Sequence, residues 1–130
     1  MKAAELSLAP LKRALESLEK AIKQERNEFT QDSVIQRFEY TFELSWKICK
    51  KVLELDKPLT DESVRGILRE AHQQKLISDL EKWFSLHKAR NLTSLTYNPI
   101  TAAEVYHEAI ALPDLCHKMI NIIESKLSIS

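Results

Sequence analysis

Apolar or small residues recur at steps of three and four along three long stretches of this chain. They are Leu8, Leu11, Leu15, Leu18 and Ile22; then Val34, Phe38, Phe42, Ser45, Cys49 and Val52; then Val105, Ala109, Leu112, Cys116, Met119 and Ile123. That period matches one face of an α-helix and not the two-residue alternation of a strand. The chain also has one glycine, Gly66, and four prolines among 130 residues. So little turn chemistry cannot supply the many tight turns of an all-β domain.

Helix ends can be placed from capping chemistry. Pro10 suits a first turn, where amides have no intrahelical partner. Thr30, with Asp32 following, is the expected cap of the second helix, whose face is widened by Ile35, Trp46 and Leu53. Asp56-Lys57-Pro58 ends it. Thr60-Asp61-Glu62 opens a short third helix carrying Val64, Ile67, Leu68 and Ala71. Ser78 and Glu81 have capping-box spacing and start a fourth helix through Trp83, Phe84 and Leu86 towards Arg90. Asn98-Pro99 stops that segment, and Thr101 with Glu104 makes another capping box for a fifth, long helix that Pro113 should kink. The expected fold is therefore all-α: an antiparallel four-helix up-and-down bundle with one additional short helix, forming a single domain over residues 1–130.

Composition narrows the function classes. Nineteen basic and 19 acidic residues cancel, which argues against a protein that coats nucleic acid by bulk charge but leaves room for a focused phosphate site. Cys49 and Cys116 are far apart and read as small apolar groups, and the histidines show no HExxH or paired spacing, so no metal and no other cofactor is expected. No run approaches the ~20 apolar residues of a membrane span, and none reads as a signal peptide. The expected compartment is the cytoplasm.

The chemistry-bearing segment is Arg90-Asn91-Leu92-Thr93-Ser94-Leu95-Thr96-Tyr97. Helical spacing would put Trp83, His87, Arg90, Ser94 and Tyr97 on one stripe. An imidazole, a guanidinium and two hydroxyls make an odd face to bury in a bundle, and a guanidinium fork suits two phosphate oxygens. The plainer reading is a helix C-terminus, with Arg90 facing the negative dipole end and Thr93, Ser94 and Thr96 satisfying loose carbonyls. On composition alone the plainer reading is favoured.

The octapeptide resembles the R-N-x-T-S-H-T-Y signature of the HEPN family (higher eukaryotes and prokaryotes nucleotide-binding), in the branch of nucleotidyltransferase substrate-binding proteins. Two further blocks are similar to that family in the same order: Ile35 to Lys47 (IQRFEYTFELSWK), and Arg69 to Ile77 (REAHQQKLI) followed by Trp83. The resemblance implies a helical homodimer in which two Arg/His motifs face one cleft that takes RNA. It also implies a separate minimal nucleotidyltransferase as partner, acting as antitoxin to a ribonuclease toxin. In that chemistry the arginine stabilises the scissile phosphate and the histidine handles protons during attack by the ribose 2′-hydroxyl. The tyrosine two positions further on receives AMP.

Carried over residue by residue, Arg90 takes the phosphate contact, Tyr97 the modification site, and Asn91 and Ser94 line the cleft. The position of the catalytic histidine holds Leu95. An alkyl group cannot shuttle a proton, and such help is worth ~100- to 10,000-fold in rate, so cleavage is expected to be absent or feeble. His87, one turn before Arg90, reads as an exposed helix histidine, and the family motif places no base there. Arg37, Glu39 and Glu43 on a largely apolar helix could support a functional cleft, but the favoured reading pairs Glu39 and Glu43 with lysines or arginines at helical spacing. Trp46 and Trp83 read as core or dimer-contact residues. Three functions stay open: a disabled ribonuclease toxin, a binding subunit of a nucleotidyltransferase, and a dimeric helical scaffold.

Overall fold

The computed structural model describes residues 6–127, and among these every regular element is helical. We label them α1 (Ala9–Ile22), α2 (Glu28–Glu54), α3 (Val64–Gln73), α4 (Leu80–Asn91), α5 (Pro99–Ala109) and α6 (Leu112–Leu127), with a 3-10 turn at Thr93–Leu95 between α4 and α5. The all-α bundle is as expected, with α5 and α6 together supplying the fourth arm and α3 as the short addition.

The apolar period decides what is buried. Leu11, Leu15 and Leu18 of α1, and Val34, Phe38, Phe42, Ser45, Cys49 and Val52 of α2, are all within 5 % of full burial. Helix α2 has 27 residues and is about 40 Å long at 1.5 Å per residue. It packs against each of the other five helices, so it is the axis around which the bundle is assembled. Phe38, Phe42 and Trp83 form an aromatic run through the core, with ring centroids 6.2 and 6.1 Å apart. Cys49 and Cys116 are free and buried. Desolvation pushes both thiols up to about 12, which makes them packing atoms rather than nucleophiles.

The helix starts differ from those expected. The cap of α2 is Asn27: its side chain accepts from the amides of Phe29 and Thr30 at 2.8 and 3.0 Å, and Thr30 Oγ1 accepts from the Asn27 amide at 2.8 Å. Thr30 thus serves as the reciprocal partner of a capping box rather than as the cap. The third helix opens after Thr60-Asp61-Glu62 and not with it: Ser63 caps α3, and its Oγ accepts from the Gly66 amide at 3.0 Å. Asp61 accepts from Ser63 N and Oγ, and Gly66 leaves the space that the Asp61 carboxylate fills. Asp79, at φ 57°, caps α4 in place of Ser78, a conformation a short polar side chain tolerates. Asn98 caps α5 with Pro99 in its first turn, displacing the Thr101–Glu104 box.

The long fifth helix is broken, not kinked. The ring of Pro113 crowds the carbonyl four residues back, at Ala109, which is where α5 ends; α6 then restarts at Leu112 with Pro113 in its first turn. Among the described residues no helix is long and apolar enough to cross a membrane.

Candidate functional site

Two helices build the site. Helix α2 places Glu39 and Glu43 one turn apart on the same face, and α4 brings Arg90 to its last turn. Arg90 Nε donates to Glu43 Oε2 at 3.1 Å, and its Nη1 lies 3.4 Å from Glu39 Oε2. The indole Nε1 of Trp46 donates to the same Glu43 oxygen at 3.3 Å. Glu43 is therefore fixed from two sides, while Glu39 is the longer and more exposed contact: its side chain is 40 % accessible against 30 % for Glu43 and 28 % for Arg90. Both carboxylates pair across helices, which corrects the expectation of partners at helical spacing.

The guanidinium is neither lost in the apolar interior nor loose in solvent. Glu43 occupies its Nε side and Glu39 one terminal nitrogen. An arginine carries five N–H donors, so donors on the terminal nitrogens remain for an acceptor. Two carboxylates against one guanidinium leave this group with a formal charge of minus one.

The expected five-residue stripe is only partly formed. Trp83, His87 and Arg90 follow one another along α4, but the helix ends at Asn91 and the chain turns through Thr93–Leu95. Trp83 is buried in the core, whereas Asn91 and Ser94 are exposed. Thr93 Oγ1 donates to the Arg90 carbonyl at 2.9 Å and Thr96 Oγ1 to the Thr93 carbonyl at 3.0 Å, the expected closure of a helix end. Leu95 is 43 % exposed and lies outside the core cluster; Tyr97 is 83 % exposed. The octapeptide therefore presents Leu95 and Tyr97 outward from a tight turn, and of the expected site residues only Arg90 is held by side-chain partners.

His87 departs from its sequence reading. It is half-buried, with its ring nearly parallel to Phe42 at 6.0 Å and 13°. Burial, aided by the guanidiniums of Arg65 and Arg90 and opposed by Glu43, holds its pKa below the ordinary 6.5. It is a packed imidazole one turn from Arg90, and its surroundings favour the neutral form.

Sequence reasoning missed the carboxylate clamp. Two glutamates one turn apart on a largely apolar helix were the available signal, but only the fold shows which cation they meet. A groove of about 710 Å³ beside the motif turn, between α4 and α5, was also unforeseen. Ala89, Leu92, Pro99, Ile100 and Ala103 are among its walls, and Ile100 is 72 % exposed. Among the described residues no group of three or more His, Cys, Asp or Glu side chains could hold a metal ion.

Comparison with known proteins shows the family and the fold. Residues 6–124 match the family model described as nucleotidyltransferase substrate binding protein like. A Haemophilus influenzae protein named probable ribonuclease HepT is 38% identical over 117 residues, covering 78% of this chain and 80% of that protein. A solved structure from Haemophilus influenzae, described as revealing the fold of a substrate binding domain of a nucleotidyltransferase, superposes with a TM-score of 0.80. It is 30% identical and covers 88% of this chain and 97% of its own. A crystal structure of a Thermus thermophilus protein gives a TM-score of 0.74 at 29% identity, covering 90% of this chain and 98% of its own. A family match across nearly the whole described chain, joined by a relative of this identity, makes the protein a member of the HEPN-type nucleotidyltransferase substrate binding protein family.

Proposed function

We propose that this chain is the HEPN-type partner of a separate minimal nucleotidyltransferase, and that it carries a ribonuclease-like site disabled at Leu95. The observation that carries this reading is Arg90: a half-buried guanidinium, oriented by Glu43, beside a turn that offers an alkyl group where the motif has an imidazole. In the intact reaction O2′ of ribose bonds to phosphorus and the bond from phosphorus to O5′ breaks. A base takes the 2′-hydroxyl proton, and an acid returns one to the departing oxygen. Arg90 supplies charge for the phosphoryl oxygens. A phosphodiester would take the place of Glu39 on the terminal nitrogens while Glu43 keeps Nε. Leu95 supplies neither proton step. Asn91 and Ser94, both exposed beside Arg90, are the polar lining of this cleft in a homodimer, and the single domain acts in the cytoplasm.

Leu95→His tests the reading directly. The wild type should leave a single-stranded RNA intact, and the variant should cleave it ~100- to 10,000-fold faster and arrest growth on expression. Equal inertness of both proteins would remove the support for a ribonuclease-like site.

A second reading has its own observation. The Tyr97 hydroxyl stands on the most exposed large hydrophobic residue of the described chain. It can attack the α-phosphorus of ATP bound to a nucleotidyltransferase, forming the Oη–phosphorus bond as pyrophosphate leaves and the phenol proton passes to a base of that partner. Co-incubation with the partner and α-labelled ATP should label the wild type and not Tyr97→Phe. Label retained by Tyr97→Phe would eliminate this acceptor.

A further inference from the structure

The positive charge that Arg90 lacks, being matched by two carboxylates, is found next door. Arg65 and Arg69 stand one turn apart on α3, both exposed. Their guanidinium carbons lie 3.9 and 5.6 Å from the ring centroid of Phe84 on α4. Among the described residues neither arginine makes an ion pair within 4 Å. The nearby carboxylate of Asp61 accepts from the Ser63 hydroxyl at 2.7 Å and amide at 2.9 Å, which chiefly hold its pKa below the ordinary carboxylate value, with a smaller contribution from Arg69. A guanidinium resting on a ring keeps its N–H edges free for oxygen acceptors, and its outer face can take a base. Phe84 is half-buried and packed against the core, so it is a fixed platform rather than a floating one.

The platform shares helix α4 with the site, with Phe84 and Arg90 about 120° apart around the helix axis. Phe84, His87 and Arg90 follow at three-residue steps along α4, and Phe84 to Arg90 is about 9 Å of helix. Arg65 is close enough to His87 to depress its pKa, which ties the two ends of the strip together.

We propose that Arg65, Arg69 and Phe84 form a binding strip for single-stranded RNA that leads to Arg90. The arginines hold backbone phosphates adjacent to the one that Arg90 would contact. The strip supplies attraction that the Arg90–Glu39–Glu43 group, with its net negative charge, does not. This inference rests on the reading of the site as ribonuclease-like.

The test is fluorescence anisotropy with a labelled single-stranded RNA of about a dozen nucleotides, over a range of salt. It compares the full chain with Arg65→Gln/Arg69→Gln, with Arg65→Lys/Arg69→Lys and with Arg90→Gln, after confirming by circular dichroism and urea midpoint that each is folded. The double glutamine variant should bind roughly tenfold or more weakly, with a salt slope reduced by about 1.4, the counterions of two single-strand phosphates. The lysine pair should keep the slope. If Arg90→Gln weakens binding and the glutamine pair does not, the strip is wrong while the site reading stands. If the wild type binds no RNA, both are wrong. If the glutamine pair binds RNA normally but no longer co-elutes with the nucleotidyltransferase, the surface is a protein contact and the RNA assignment is overturned.

Discussion

Helix α2 carries polar groups on two faces that are treated in opposite ways, and on the buried one the Thr41 hydroxyl has no hydrogen-bond partner among the described residues. On the inner face Ser45 Oγ donates to the Thr41 carbonyl of its own helix at 2.8 Å and lies 3.2 Å from Cys116 Sγ, and Cys49 Sγ sits 3.5 Å from Met119 Sδ. These groups are closed to solvent, and their thiols are held protonated by burial. On the outer face Glu39, Glu43 and Trp46 are half-buried, and the two carboxylates face a cation that arrives from another helix while the Trp46 indole steadies Glu43. The inner contacts are enclosed by packed side chains and cannot be exchanged for a ligand without opening the core. A side-chain counterion can be exchanged for a ligand. The difference teaches where this bundle keeps its stability and where it can do chemistry.

Substitutions sharpen that division. Phe42 lies under both regions, against Phe38 and Trp83 inside and His87 towards the site. Phe42→Ala should cost ~3–5 kcal/mol in urea unfolding, the range for deleting a buried aromatic. A loss below about 1 kcal/mol would mean the aromatic run does not hold the core.

Outer-face effects should be smaller. Glu43→Gln removes a half-buried, doubly anchored carboxylate and should cost ~1 kcal/mol or less, because solvent still screens the pair. Glu39→Gln should cost less again, since its contact is longer and more exposed. The reverse order, measured by the same unfolding curves, would break the distinction between fixed clamp and exchangeable counterion.

The smallest effect is a pH dependence. With the pKa of His87 held below 6.5 in the fold, the unfolded chain takes up that proton first as pH falls. The stability tied to His87 is complete above about 6.5, declines between there and the folded-state value, and changes no further below it. Stability measured from pH 7 downward should show this decline in the wild type and lose that part of it in His87→Gln. Identical profiles would show that the imidazole is not held neutral by its packing.

Much of the bundle can be read from periodicity, because burial of a three-and-four stripe is a property of one helix at a time. The caps are harder, since Asn27 competes with Thr30, and Asn98 with Thr101, for the same free amides; Asn at 27 and 98 comes first in chain order and takes them. Pro113 signals the break before Leu112, but a proline alone reads as a bend, because sequence does not say whether tertiary packing will hold a strained helix together. Within the site, Arg90 is visible through its motif. Its two carboxylates stand 47 and 51 positions away in the chain (90 − 43 and 90 − 39), a pairing no helical spacing encodes. The half-burial of His87 depends likewise on Phe42, a residue of another helix.

The motif turn after α4 sits at the margin of the fold, with Leu95 facing water and outside the core cluster. Folding therefore sets no preference at that position: an imidazole or an isobutyl group there leaves the bundle equally well assembled, within the ~0.5 kcal/mol usual for surface changes. A leucine and a histidine codon can differ by a single base. A lineage carrying this architecture could silence and revive its catalytic centre by point mutation, with no folding debt to discourage either step.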